Sequence, residues 1–127
     1  MRKPDRAIIR RYCERILKSH SMLEDHISGL NNNGEWAVGN VYFDAVSMQL
    51  EVIAEYVCKL LDKTGDFGTQ LPIMYPQVPW SQIHRFRQLL AHWYIEKVSP
   101  EIVKEIIKTS IPTLATTVQK ILSEKPE

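Results

Sequence analysis

Arg87, His92 and Tyr94 stand in the stretch RFRQLLAHWY, residues 85–94, and bring together a permanent cation, a side chain that titrates near neutral pH and a phenol. A histidine can take a proton as general base and return it as general acid, and an arginine grips a phosphate through paired, charge-assisted hydrogen bonds. Those two groups are a minimal kit for cleaving a phosphodiester. In RNA the substrate's own 2′-hydroxyl can serve as nucleophile, so such a site needs no metal: His92 moves protons and Arg87 stabilises the phosphate's charge in the transition state. An arginine and a histidine five apart also occur on many helices as an ion-paired arginine and a half-buried histidine. Spacing alone leaves both readings open.

The element that must hold these residues is a helix beginning around Trp80-Ser81 and running to about Val98. At about 100° per residue, Ile83, Phe86, Leu90 and Trp93 share its core-facing side, with Arg87 at the edge of that stripe. Tyr94 returns to nearly the direction of Arg87, whereas His84, Gln88 and His92 stack on another flank. Arg87 and His92 are about 140° apart around the axis. A lone exposed helix cannot easily aim both into one small pocket, but a groove where two copies of it meet can be lined by both.

Around this helix the pattern predicts four more. Pro4-Asp5 starts a first helix whose apolar positions Ile9, Tyr12, Cys13, Ile16, Leu23, Ile27 and Leu30 keep a helical repeat until Asn31-Asn32-Asn33-Gly34 breaks it. A second runs from about Val38 to Asp62 with apolar residues on more than one stripe. The stretch TGDFGTQLPIMYPQVP, with Gly65, Gly68, Pro72, Pro76 and Pro79, reads as a structured loop leading to the third. Ser99 caps a short fourth helix with Pro100 at its first position, and Thr109 or Ser110, with Pro112 following, opens a fifth that ends near Ser123. The expectation is an all-α bundle of about five helices with one long antiparallel pair, occupying residues 1–127 as a single domain.

Bulk properties fit this. The chain's 127 residues are 44% hydrophobic and 24% charged, the proportions of an ordinary globular domain and not of a disordered or fibrous chain. No stretch approaches the roughly 20 apolar residues of a membrane span, and the basic start MRKPDRAIIRRY lacks the apolar run of a secretory signal, so a cytoplasmic location without membrane contact is expected. Cys13 and Cys58 sit in apolar helical patterns without metal-ligand spacing and read as reduced, buried thiols. The net charge of +1 hides an asymmetry: residues 1–18 hold seven basic side chains against Asp5 and Glu14, a local +5 that leaves the remainder at −4. That end is either a phosphate-facing surface, with Arg6, Arg10 and Arg11 as candidate contacts, or a solvated helix face.

The run PWSQIHRFRQLLAHWY, residues 79–94, resembles the signature of the HEPN superfamily, an arginine followed four to six residues later by a histidine on one helix. More narrowly it resembles the HepT branch, whose spacing of arginine, four residues, histidine, one residue, tyrosine is met by Arg87, His92 and Tyr94. FDAVSMQLEVIAEYVCKL is similar to that family's second helix, in which an apolar run leads into a glutamate, here Glu55. The likeness spans roughly residues 4–122. It implies an all-helical, homodimeric ribonuclease toxin of a toxin–antitoxin pair, with the arginine and histidine of both subunits gathered at the dimer interface. It also implies an antitoxin partner, a minimal nucleotidyltransferase of the MntA type that silences the toxin by transferring AMP from ATP to the tyrosine, here Tyr94. Cellular RNA, tRNA or mRNA, is the implied substrate, and no cofactor is implied. The chain departs from the family's pattern at Gln88, where asparagine is usual after the arginine, and at Ala54, where glycine is usual before the glutamate. A competing reading is a non-catalytic HEPN module that serves a partner nucleotidyltransferase as scaffold or substrate.

Other residues point less far. His20, Glu24 and His26 lie close in sequence but match neither HExxH nor the ExxH of di-iron bundles, so no metal site is expected. His84 and Gln88 are candidate substrate contacts beside the Arg–His pair. Glu55 is either a buried structural residue or a neighbour of the catalytic groove. Trp36, Trp80 and Trp93 read as core or interface anchors, with base stacking on Trp93 as an alternative.

Overall fold

Two rows of apolar side chains at seven-residue spacing set up the fold of the computed structural model, which describes residues 6–93 and 99–124, without side chains at Asn33 and residues 90–93. In α1 (Arg6–Asn33) the buried row is Ile9, Ile16, Leu23 and Leu30, with Cys13 one turn from Ile9. In α2 (Val41–Asp62) it is Phe43, Leu50 and Val57 interleaved with Val46, Ile53 and Leu60. A 3.5-residue repeat keeps such rows facing one partner along the whole length of a helix, so α1 and α2 pack side by side over the core. The pair is antiparallel. Tyr12, near the start of α1, meets Tyr56, near the end of α2, with ring centroids 5.8 Å apart. At the other end Gly29 lies against the Tyr42 ring, where an added Cβ would meet Cε1 at 2.5 Å.

The turn between them is held chemically. Asn40 caps α2 by accepting from the backbone N–H groups of Tyr42 and Phe43 at 2.9 and 3.1 Å, satisfying donors that have no partner inside the helix. The second helix thus begins at Val41, not at about Val38 as the apolar pattern suggests, because the polar cap and Gly39 at φ +99° mark the real boundary.

Beyond this pair lie α3 (Asp66–Met74), α4 (Trp80–Trp93), α5 (Pro100–Thr109) and α6 (Ile111–Ser123), making six helices and no strand among the described residues. The sequence-based expectation of about five missed α3, placed by its glycines and prolines in a loop. Tertiary packing overrides that composition. Leu71 is fully buried, and Gly68 lets α3 lie so close on the end of α2 that a Cβ there would collide with the carbonyl oxygens of Leu60 and Leu61. At α5, the fourth helix expected from the sequence, Ser99 Oγ accepts from the Ile102 N–H with Pro100 next in line, as the sequence indicates, and Ser110 both ends α5 and precedes α6.

In the assembled bundle α6 packs on α1, α4 and α3 pack on α2, and α5 packs on α6. The segment joining α3 to α4 is pinned by Tyr75, whose hydroxyl donates to Glu124 Oε1 at 2.8 Å, and by Trp80, whose Nε1 donates to the Tyr75 carbonyl at 2.9 Å. Trp80 is a core anchor, as expected. Trp36 is half-buried with its ring 6.3 Å from that of Phe43. No described helix is long and apolar enough to cross a membrane. The expected start at Pro4-Asp5 and the stretch from Tyr94 to Val98 lie outside the described residues.

Candidate active site

Among its described side chains, α4 buries a narrow stripe. Trp80, Ile83 and Phe86 are the buried members, in line with the predicted core side, while the side chains of Leu90 and Trp93 lie outside those described. Arg85, Arg87, Gln88 and Leu89 are exposed and His84 is half-exposed. Arg87 emerges exposed at the edge of the stripe, and its charge is felt on α2. Burial pushes the Cys58 thiol up, the Arg87 cation pulls it the other way, and Asp62 and Glu55 add to the rise. Cys58 is only half-buried, against the expectation of a buried thiol. Its place on the α4 side of α2 gives it a polar neighbourhood instead of the core.

One turn earlier, His84 Nε2 stands 3.4 Å from Asp62 Oδ2, with both side chains substantially exposed. His84 is thus tied to the end of α2, beside its suggested role toward substrate. His84 pairs with Asp62 and the Arg87 charge acts on Cys58, one turn back along α2, the order of antiparallel neighbours. Continuing along α4 from Arg87 therefore leads back along α2 toward Glu55, which is half-buried and shares a row with Cys58 and Asp62. Glu55 is accordingly not a core residue.

His92 lies in the last turn of α4 and is placed by its backbone; its side chain is outside those described, and Tyr94 is outside the described residues altogether. The helical backbone keeps Arg87 and His92 on one element, about 140° apart. Gln88 and His84 share His92's flank. Arg85, which the sequence reading passed over, returns to the direction of His92 because it precedes it by seven residues. That spacing was the available signal.

The three N-terminal arginines do not form one surface. All are exposed, but Arg6 and Arg10 border an apolar cavity of about 540 Å³ walled by Phe67, Met74, Ile121 and Leu122. Arg10 also faces Glu14 at 3.7 Å. Arg11 is rotated about 100° from Arg10 and falls in line with Arg15, one turn on. Among the described residues no three His, Cys, Asp or Glu side chains are placed to hold a metal ion, and His20 pairs with Glu24 at 3.6 Å. Cys13 is buried in the core, where desolvation, with Glu14 adding, pushes its thiol up to about 12.

The described residues form an all-helical bundle with cationic and titratable side chains exposed on α4, an architecture in keeping with a HEPN-type fold. The family model described as ribonuclease HepT-like matches residues 9–121, and the chain belongs to that family. No solved structure matches it.

Proposed function

We propose that this protein is an endoribonuclease toxin that works as a homodimer, and that its active site is the groove formed where two α4 helices meet. The observation that carries the reading is membership of a ribonuclease family, together with the Arg87, His92 and Tyr94 spacing in the sequence and the exposure of Arg87 and Gln88 on α4. Arg87, exposed on α4, binds the scissile phosphate and offsets its growing charge. His92 of one protomer accepts the proton of the substrate's 2′-hydroxyl, and His92 of the other donates a proton to the departing 5′-oxygen. The attacking 2′-oxygen bonds to phosphorus as the 5′-oxygen leaves, a sequence that does not call on a metal. Gln88 and Arg85 flank His92 and supply further hydrogen bonds to the RNA backbone.

Control by a nucleotidyltransferase antitoxin completes the proposal. The Tyr94 oxygen attacks the α-phosphorus of ATP, pyrophosphate leaves, and a bulky anionic AMP group then competes with RNA for Arg87. The test is to purify the wild-type chain, His92→Ala, and the wild type co-expressed with such a partner, and to compare cleavage of cellular RNA with intact mass. Wild type alone should cut, while His92→Ala should be inert and still dimeric. The co-expressed form should be inert and heavier by AMP on Tyr94. An uncut RNA pool with unmodified wild type would replace this reading with that of a non-catalytic scaffold.

A further inference from the structure

Across α2 from Arg87 the structure holds a cluster that the active-site motif does not include. Tyr12 of α1 and Tyr56 of α2 meet edge to face, 5.8 Å apart at 61° between ring planes. Arg15 sits 5.9 Å from the Tyr56 ring, and Lys59 sits 5.6 Å from the Tyr56 ring and 6.0 Å from that of Tyr12. All four side chains are half-buried, so each keeps a face toward solvent. Neither Arg15 nor Lys59 makes an ion pair among the described residues, although Glu55 precedes Lys59 by one turn. The cations are held by aromatic rings and keep their charge available. Arg11, exposed one turn before Arg15, extends the patch.

The cluster is level with the candidate active site. Arg87 acts on Cys58, and Lys59 is the next residue of α2. Neighbouring helix axes lie about 8–10 Å apart, so with α1 and α4 both packed on α2 the axes of the helices carrying Arg87 and Arg15 are at most about 20 Å apart. Aromatic faces beside unpaired cations are the chemistry that grips single-stranded nucleic acid: bases stack on the rings and phosphates meet the cations, with little dependence on sequence. A duplex would offer phosphates but no free base faces for the tyrosines.

We infer that Tyr12, Arg15, Tyr56 and Lys59 form a platform that binds the single-stranded part of the RNA substrate and leads it to Arg87. The platform rests on the ribonuclease reading for its purpose, but its binding is measurable without cleavage. Arg15→Glu with Lys59→Glu, made in the His92→Ala background, is titrated with a short single-stranded oligouridylate carrying 5-iodouridine, alongside His92→Ala itself. The double reversal should raise Kd at least about tenfold and reduce the slope of log affinity against log salt by about 1.4, two phosphate contacts at about 0.7 each. Photo-crosslinks should map to Tyr12 or Tyr56. In the His92-intact protein the same reversal should raise KM and leave kcat within about twofold, since it removes binding distant from the reacting atoms. Unchanged Kd and salt slope, or a changed oligomeric state with unchanged RNA binding per protomer, would overturn the platform. Should the wild type bind RNA through these residues without cutting it, the platform stands and the ribonuclease reading falls.

Discussion

Helices α2 and α4 lie side by side, yet they divide the work of the molecule. Over 22 residues α2 buries Phe43, Val46, Leu50, Ile53, Ala54, Val57 and Leu60 and is closed at its start by the two hydrogen bonds that Asn40 Oδ1 accepts. The buried stripe described on α4 is Trp80, Ile83 and Phe86, and the residues between them face water. A helix with an unbroken buried face along its length anchors the core, leaving only its outer side, with Tyr56 and Lys59, to meet a ligand. A helix docked by one stripe can present arginine, glutamine and histidine without disturbing the core, so in the proposed function stability and reactivity fall on different elements.

Substitutions on the two helices should separate accordingly. The largest effect is expected from Phe43→Ala, which empties a fully buried site on α2 and should cost about 3–5 kcal/mol in chemical denaturation; a loss below about 1 kcal/mol would mean the α1–α2 core is not what holds the fold. Arg87→Ala on α4 should leave stability within about 0.5 kcal/mol while lowering RNA cleavage by about 10²- to 10³-fold. If instead it unfolds the protein, the division between the helices fails. Asn40→Ala should cost about 1 kcal/mol by freeing the two N–H groups it caps, with cleavage per folded molecule unchanged. The smallest effect at neutral pH is that of Cys13 ionisation. Its folded thiol holds its proton up to about 12 against an ordinary 9.0, so its contribution is complete below pH 9 and is lost as the pH climbs from 9 toward 12. Cys13→Ala should therefore flatten the alkaline fall in stability over that window, and an unaltered slope would show that the thiol is not shielded as its burial requires.

Much of this division is legible in the sequence. The seven-residue rows, Ser99-Pro100 and the Asn-rich break each encode their element locally, and five helices follow from them. Helix α3 does not, because Gly68 and Pro72 are poor helix formers whose placement is decided by contact with α2. The motif spacing places Arg87, Gln88 and His84 on one helix, but the approach of His84 to Asp62 depends on the α4–α2 register, which no local pattern reveals. The same holds for the tyrosine–cation platform. Tyr12-x-x-Arg15 and Tyr56-x-x-Lys59 are matched patterns 44 positions apart, and only the antiparallel pairing of α1 and α2 brings them together. Arg6, Arg10 and Arg11 form one cluster in sequence and split in space because successive helical residues diverge by about 100°.

The strict seven-residue rows of α1 and α2 also set which insertions and deletions the protein can absorb. A single residue added inside either helix would turn every later side chain by about 100° and carry Leu30 or Leu60 out of the core. Seven residues added to both helices at matched heights would lengthen the hairpin by about 10 Å and preserve both rows and the pairings at each end. Length variation among homologous chains should therefore fall in the turn at residues 34–40, or appear within the hairpin as paired changes in steps of seven.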